Sequence, residues 1–144
     1  MSDKASAPLK AVISMGSNLP DGEARLRDAL QWLCTILSDV SHSGIYTSSA
    51  LKGDGTYFNV VVRGFTTLSV EEFEKLAKEK ETKNGRIRPS EEVALDIDLI
   101  SLGSAVVRPA ELCRLYFLQG MRALANNSEN INNKQASNQV NPII

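Results

Sequence analysis

Two aspartates two positions apart, Asp96 and Asp98, are the residues whose type and spacing point most directly to chemistry. They lie in the otherwise apolar segment Val93–Ile100, and an apolar run of this length favours a strand. In a strand, residues two apart share one face and lie about 6.6 Å apart. Carboxylates that converge on one face repel each other unless a cation lies between them, and Mg²⁺ prefers such oxygen ligands. The pair predicts a magnesium site. Solvated acids on a half-exposed strand are the alternative, but Asp is disfavoured in strands.

Two arginines that precede the acidic strand are candidates for phosphate binding. Arg86 and Arg88 are alternate residues of the polar segment 81–89. A guanidinium group binds phosphate bidentately and offsets the charge that develops during phosphoryl transfer. Arginines beside a carboxylate–Mg²⁺ centre therefore indicate a polyphosphate that bridges them. A solvated basic loop is the reading that the two arginines alone leave open.

Two further positions have spacings that suit a ligand. The turn Gly16-Ser17-Asn18 follows a predicted strand, where glycine lets the backbone approach a ligand closely; a plain strand-to-helix turn fits equally well. Tyr57 and Asn59 share one face of another predicted strand. An aromatic ring and a carboxamide can stack on a flat heterocycle and bind its hydrogen-bonding edge. An ordinary pair of edge residues is the alternative.

The elements that must position these residues are predicted from hydrophobic periodicity and capping signals. The predicted elements are strands over Leu9–Met15, Val40–Thr47, Thr56–Phe65 and Val93–Leu102, a helix through Leu26–Leu37, a helix from the Ser69/Glu72 capping box, and a short helix or partly irregular segment over Pro109–Leu124. The order β-α-β-β-α-β plus a C-terminal helix predicts a ferredoxin-like α+β fold with an antiparallel sheet and helices on one face. Composition predicts a flexible N-terminus over 1–8, a folded domain over 9–125 and a flexible Asn-rich tail over 126–144.

Composition and charge exclude several classes of protein. The chain has 144 residues and a formal net charge of −1, which suits one globular domain and argues against non-specific nucleic-acid binding. No apolar run is long enough to span a bilayer or to form a signal peptide, and we expect a cytoplasmic protein. Two cysteines and one histidine argue against a disulfide framework, a zinc site or a Ser–His–Asp triad.

The motifs in their order resemble those of the hydroxymethyldihydropterin pyrophosphokinases, over roughly Ala11 to Ile100. The matching segments are Gly16-Ser17-Asn18-Leu19, Tyr46-Thr47-Ser48, Tyr57-Phe58-Asn59, Glu81 with Gly85-Arg86 and Arg88, and Leu95-Asp96-Ile97-Asp98-Leu99. The resemblance implies transfer of the terminal pyrophosphate of ATP to 6-hydroxymethyl-7,8-dihydropterin in folate biosynthesis. It also implies a monomer whose partners are ATP and a reduced pterin, without nucleic acid or membrane.

Roles for individual residues follow from the same resemblance. Asp96 and Asp98 would hold two Mg²⁺ ions that bridge the ATP phosphates, and with Arg86 and Arg88 they would form the catalytic set. The residues implied at the pterin are Ser48, Tyr57, Asn59 and Tyr116. Those implied at the nucleotide are Glu81, Arg86, Arg88 and Arg114. Little covalent chemistry would fall to the protein, which would position two substrates and neutralise charge.

The chain departs from the family pattern at the nucleotide side. Family members carry an arginine three residues before the first aspartate, where this chain has Val93, and a longer loop than Pro89–Glu92. Their Pro-His pair is absent, and Arg114–Leu118 corresponds to their R-x-F-V-L segment, with Tyr116 in the place of the stacking phenylalanine. Two alternatives to the enzyme therefore stay open: a catalytically silent relative that binds a pterin or nucleotide, and a ferredoxin-like interaction module.

Overall fold

A computed structural model describes residues 7–49, 55–85 and 93–137, with the side chains of the last helix described through residue 126. Arg86 and Arg88 lie outside the described residues. The strands are β1 (Leu9–Ser17), β2 (Ser38–His42), β3 (Tyr46–Ser49), β4 (Thr56–Thr66), β5 (Asp96–Leu102) and β6 (Ala105–Val106). The helices are α1 (Gly22–Leu33), α2 (Val70–Lys83), a 3₁₀ turn (Pro109–Cys113) and α3 (Leu115–Ser137).

All strand pairs are antiparallel, and β1 lies between β4 and β5 in the order β2-β4-β1-β5-β6. Strands β2 and β3 both pair with β4, on the side that β1 leaves open. The single strand predicted over Val40–Thr47 is therefore interrupted. Between its two parts the Ser43 hydroxyl accepts a hydrogen bond from Val61 N at 3.0 Å, and Gly44 adopts a φ of 80°. The predicted α+β class and antiparallel sheet are confirmed.

The two faces of the sheet carry separate apolar layers because successive strand residues point to opposite sides. The larger layer packs α1 and α2 against one face, with members Ile13, Met15, Leu26, Leu33, Val60, Val62, Phe73, Ile97 and Leu99. The smaller layer packs α3 against the other face, with members Val12, Val61, Ile100, Phe117 and Leu124. The helices thus lie on both faces, whereas the prediction put the two central helices on one face and did not place the C-terminal helix.

The helix ends follow local sequence signals in one case and tertiary contacts in another. The capping box predicted at the start of α2 is confirmed, since Ser69 and Glu72 exchange side-chain to backbone hydrogen bonds of 3.0 and 2.8 Å. Helix α1 ends at Leu33, so Leu37 is buried from the following turn rather than from the helix. Helix α3 continues to Ser137, past the boundary predicted at residue 125, and the flexible tail over 126–144 stays a prediction.

Helix α3 approaches the sheet closely at Gly120. A β-carbon at this position would overlap the side chains of Val61 and Tyr46. The Tyr46 hydroxyl donates a hydrogen bond of 2.5 Å to the carbonyl of Tyr116, which fixes the start of α3 over β3 and β4. Burial raises the pKa of Tyr46 to about 12, so this hydroxyl stays a donor at neutral pH. Within the described chain no helix is long and apolar enough to cross a bilayer.

We expect Gly120→Ala to destabilise the protein, although the same change stabilises most helices by roughly 1 kcal/mol. The added methyl group would displace Val61 or break the bond of Tyr46, and overpacking of this kind costs about 1–3 kcal/mol. Denaturant unfolding gives the free energy of unfolding, with Gln119→Ala at the exposed neighbouring position as the control. A Gly120→Ala variant as stable as the wild type would show that α3 does not pack this closely.

Candidate active site

The acidic pair lies on the face of β5 that points towards α3. Asp96 and Asp98 are half-buried, whereas the intervening Ile97 and the next residue, Leu99, are buried in the layer beneath α1 and α2. The predicted alternation is confirmed. Burial, and then the nearby charge of Asp96, raise the pKa of Asp98 from 3.8 to about 7. At Asp98, burial and the charge of Asp96 therefore outweigh the opposing charge of Arg108 in their effect on its pKa.

The register of the sheet puts the acidic pair in one row with the carboxamide of β4. Asp96 lies opposite Gly16 on β1, Gly16 lies opposite Asn59 on β4, and Asn59 lies opposite Tyr46 on β3. Asn59 shares the face of Val61, two residues on, which packs beneath α3. The backbones of Asp96 and Asn59 are therefore two strand spacings apart, about 9.6 Å. Gly16 carries no side chain, so nothing projects from β1 between these two side chains.

Three of the residues predicted at a heterocycle lie together at the β3–β4 pair. Asn59 is 4% exposed, and its Nδ2 donates to Ser48 Oγ at 2.8 Å. Ser48 lies directly opposite Tyr57 in the register of the two strands. A β-carbon on Gly16 would lie 3.6 Å from Asn59 Oδ1 and 3.7 Å from the Tyr57 ring. A ring and a carboxamide oxygen therefore lie beside the bare stretch of β1, and the Ser48 hydroxyl holds the carboxamide from behind.

Tyr116 reaches the acidic pair from the start of α3. Its hydroxyl donates a hydrogen bond to Glu111 Oε1, and Arg114 Nε lies 3.8 Å from the other oxygen of Glu111. Burial, and then the bond to Glu111, raise the pKa of Tyr116, and the charge of Asp98 adds to this rise. The charge of Glu111 in turn helps to raise the pKa of Asp98. Glu111, which the sequence did not single out, therefore lies close enough to Asp98 for the two charges to interact.

The segment Gly16-Ser17-Asn18, predicted as a turn, is the end of β1 through Ser17, and it holds the chain that enters the acidic strand. Asn18 Oδ1 accepts a hydrogen bond of 2.6 Å from Val93 N, and Asn18 N donates one of 2.9 Å to Val93 O. Ser17 Oγ donates to the same carbonyl at 3.2 Å. Because Val93 is bound to the turn, regular strand pairing begins only at Asp96, three residues later than predicted. The turn therefore acts on the backbone of the acidic strand, a use that neither reading of the sequence included.

Glu81 binds the open edge of β5 between the two aspartates. Its Oε2 accepts a hydrogen bond of 2.7 Å from Ile97 N. Strand β6 pairs with β5 only at Ser101 and Leu102, so the backbone beside Ile97 depends on α2 for a partner. The sequence predicted Glu81 at the nucleotide, which stays a prediction. The contact that the structure shows is with the strand that carries Asp96 and Asp98.

Arg108 lies beside the acidic pair and was missed in the sequence. Its Nη2 is 3.3–3.4 Å from both carboxylate oxygens of Glu74 on α2, and its Nε is 3.6 Å from Asp98 Oδ1. The positive charge of Arg108 lowers the pKa of Asp98, against the larger effect of burial. Position 108 has no regular spacing from the acidic motif. Its only local signal is a position directly before Pro109, where a helical turn starts.

The donor set fits Mg²⁺ that is shared with a phosphate ligand. In the described ranges, no three or more His, Cys, Asp or Glu side chains are grouped so that they could hold a metal ion. Mg²⁺ does not need such a group, because it usually takes one or two carboxylates and completes its shell with water and substrate phosphates. Asp96 and Asp98 supply that number of carboxylates. A cation between them would also relieve the repulsion that raises the pKa of Asp98.

A separate cavity of about 420 Å³ opens at the other end of the sheet, next to the start of β1 and the end of β4. It is lined by Pro8, Thr35, Ile36, Leu37, Ser38, Phe65, Thr66, Thr67 and Leu68, a set without a charged side chain. The charged and amide side chains described above lie at the opposite ends of these strands. The row formed by Asp96, Gly16 and Asn59, and not this cavity, is therefore the candidate active site.

Comparison with solved structures finds a likeness to the solution structure of the C-terminal domain of the MgtC protein from Mycobacterium tuberculosis. The sequence identity is 16%, the match covers 69% of this chain and 93% of that chain, and the TM-score is 0.38. A likeness of this size carries no argument about function. No curated protein matches the sequence.

The sequence also matches a protein-family model. The model described as 7,8-dihydro-6-hydroxymethylpterin-pyrophosphokinase matches residues 12–126. This range contains the acidic pair, the Asn59 side chain with its neighbours, and the start of α3. The resemblance that the motifs predicted is thereby confirmed at the level of the family. The chain belongs to the 7,8-dihydro-6-hydroxymethylpterin-pyrophosphokinase family.

Proposed function

We propose that this protein transfers the terminal pyrophosphate of ATP to the hydroxymethyl group of 6-hydroxymethyl-7,8-dihydropterin, as a cytoplasmic monomer with a ferredoxin-like fold. Membership of the family supports the reaction class. The observation that carries the proposal for this chain is the row in which Asp96 and Asn59 face each other across Gly16. Such a row offers a phosphate–metal end and a heterocycle end on one strand surface.

The pterin would lie on the bare stretch of β1 beside β4. The Asn59 carboxamide is held by Ser48 with its Oδ1 on the Gly16 side, where it can accept a hydrogen bond from a ring amine or amide. The Tyr57 ring lies beside Gly16, and Tyr116, at the start of α3, is proposed as the second ring at the pterin; aromatic rings stack favourably on a flat heterocycle. Because Asn59 is almost fully buried and already bound, its orientation costs little to hold when the ligand arrives.

The nucleotide would bind at the acidic end. Asp96 and Asp98 would hold Mg²⁺, two ions by resemblance to the family, which supply charge neutralisation for the phosphates. Arg114 pairs with Glu111, whose charge interacts with Asp98, and is proposed to contact the nucleotide. Arg86 and Arg88, which lie outside the described residues, are proposed to contact the phosphates. Glu81 supports the site through the backbone of β5, and a direct nucleotide contact by its carboxylate remains part of the proposal.

The reaction asks the protein mainly to position two substrates. A new bond forms between the hydroxymethyl oxygen and the β-phosphorus of ATP, the bond from the β-phosphorus to the oxygen of the α-phosphate breaks, and AMP leaves. The proton of the hydroxyl group passes to solvent. Holding both substrates in a reactive geometry can contribute about 7–11 kcal/mol to lowering a barrier of this kind. The strand surface that Asn59 and Asp96 share supports the proposal that both substrates are held side by side.

A second candidate is a silent relative that binds a pterin or nucleotide without turnover. The observation that favours it is Val93, which stands where family members carry an arginine and whose backbone is fixed by Asn18. Loss of one preorganised charge-stabilising group typically costs on the order of 10²–10³ in rate. Turnover therefore separates the two candidates, whereas pterin binding is expected from both.

The direct test measures AMP and the pterin diphosphate after incubation with ATP, Mg²⁺ and the reduced pterin. We expect equal amounts of both products from the wild type, and a loss of about 10²–10³ in rate for Asp96→Asn and Asp98→Asn. Asp39→Asn, an exposed aspartate on β2, is the matched control and should keep the wild-type rate. Absence of Mg²⁺-dependent AMP formation by the wild type, together with pterin binding, would favour the silent relative.

The pKa of Asp98 predicts a pH-dependent stability in metal-free buffer. Below the ordinary value of 3.8 the carboxyl is protonated in both the folded and the unfolded chain. Between this value and about 7 the unfolded chain loses the proton while the folded chain keeps it, so the free energy of unfolding falls as pH rises. The Asp98→Asn variant has no carboxyl group at this position, so its free energy of unfolding lacks this dependence on pH.

Thermal melting from pH 4 to pH 8 in the presence of a chelator measures this effect. We expect the Tm of Asp98→Asn minus that of the wild type to increase as the pH rises through this range. Asp39→Asn is the isosteric control. Excess Mg²⁺ at pH 8 should raise the Tm of the wild type more than that of Asp98→Asn. Identical pH profiles for the wild type and Asp98→Asn would contradict the burial of an ionisable group at this position.

A further inference from the structure

We propose that Arg108 is a phosphate-binding residue of this site, in a role that rests on the proposed function. Its guanidinium would contact an oxygen of the polyphosphate that Asp98 binds through the cation. The residues predicted to bind phosphate, Arg86 and Arg88, precede β5 in the sequence and lie outside the described residues, whereas Arg108 follows β6. A polyphosphate over the acidic pair would therefore also meet the positive charge of Arg108.

The backbone of Arg108 is held at Ile100, the residue of β5 that the pairing with β1 leaves out. The register of β1 and β5 passes from Leu99 to Ser101, so Ile100 has no partner residue on β1. The Ile100 carbonyl accepts hydrogen bonds from Val107 N at 2.8 Å and from Arg108 N at 3.2 Å. These two bonds hold Arg108 against the outer edge of β5, two residues beyond Asp98. A bulge that re-aims a side chain next to an active site is a common use of this feature.

The side chain of Arg108 is anchored at one end and lacks a partner at another atom. Nη2 contacts both oxygens of Glu74, which fixes the guanidinium from the side of α2. Nε is buried and has no hydrogen-bond partner among the described residues, since Asp98 Oδ1 at 3.6 Å is too distant. A buried donor without an acceptor is costly and rare. The arrangement is that of a donor whose acceptor arrives with a ligand.

The 3.6 Å separation suits a shared ligand oxygen. Neighbouring ligands of one octahedral Mg²⁺ lie about 3 Å apart, because each Mg–O distance is about 2.1 Å. A phosphate oxygen at that distance from Asp98 Oδ1 can also lie within hydrogen-bond distance of Arg108 Nε. Arginine is suited to this task because it stays charged and donates in a fixed plane. Arg114, another cation in this part of the described chain, is paired with Glu111 at 3.8 Å.

Isothermal titration with α,β-methylene-ATP and Mg²⁺ tests the proposal without turnover. Loss of a hydrogen bond between charged groups predicts an affinity about 10- to 100-fold weaker for Arg108→Gln than for the wild type. Arg108→Lys keeps the charge but lacks the Nε donor, so its affinity should lie between the two. Glu74→Gln removes the charged anchor and should weaken binding less. Arg27→Gln, on exposed α1 surface, is the control and should bind as the wild type does.

A titration with Mn²⁺ alone, followed by its electron paramagnetic resonance signal, separates this role from a merely electrostatic one. If Arg108 only offsets the charge of Asp98, Arg108→Gln would bind Mn²⁺ more tightly and keep the wild-type affinity for the nucleotide analogue. That result would overturn the assignment of Arg108 alone. A wild type that binds no Mg²⁺-analogue complex would overturn it together with the proposed function. If Arg108→Gln does not fold, Arg108→Lys and Glu74→Gln decide the question by the same comparison.

Discussion

The pairing of β1 with a different strand on each side is the constraint on which the site depends. It brings Asn59 and Asp96 to opposite sides of Gly16, although they lie 37 residues apart in the chain. A slip of one residue in either register would turn these side chains into the apolar layer beneath α1 and α2. Val60 and Ile97, which neighbour these two residues and are buried in that layer, oppose the slip because it would remove them from the layer. The core that stabilises the sheet therefore also sets the spacing of the polar groups above it.

Around this frame, the acidic strand is supported more through its backbone than through its charges. Asn18 binds the chain at Val93, and Glu81 binds Ile97 N between the two aspartates. These contacts restrict where the carboxylates can lie but do not neutralise them, and the pKa of Asp98 stays raised. Such a strand is costly without a cation and well prepared for one. The fold tolerates this local cost because burial on both faces of the sheet supplies most of its free energy of unfolding.

The sequence predicted what local periodicity controls. The shared face of Asp96 and Asp98 and the capping box at Ser69 both depend on residues within a few positions of each other. The contact of Asn18 with Val93 spans 75 residues, and Arg108 is brought to Asp98 by tertiary contacts with Ile100 and Glu74. Neither contact leaves a periodic signal. The packing of α3 on the face opposite α1 and α2 was likewise unpredictable, because its apolar residues show only that it packs, not against which face.

The most direct measurement is a crystal structure with Mn²⁺, α,β-methylene-ATP and 6-hydroxymethylpterin, in which the anomalous signal of Mn²⁺ locates the metal. The account predicts an anomalous peak bound by Asp96 and Asp98, with the pterin ring over Gly16 and its polar edge bonded to Asn59. Phosphate oxygens of the analogue should lie on the same metal. A metal peak elsewhere, or a pterin that does not contact the β1–β4 surface, would contradict the assignment of this row as the active site.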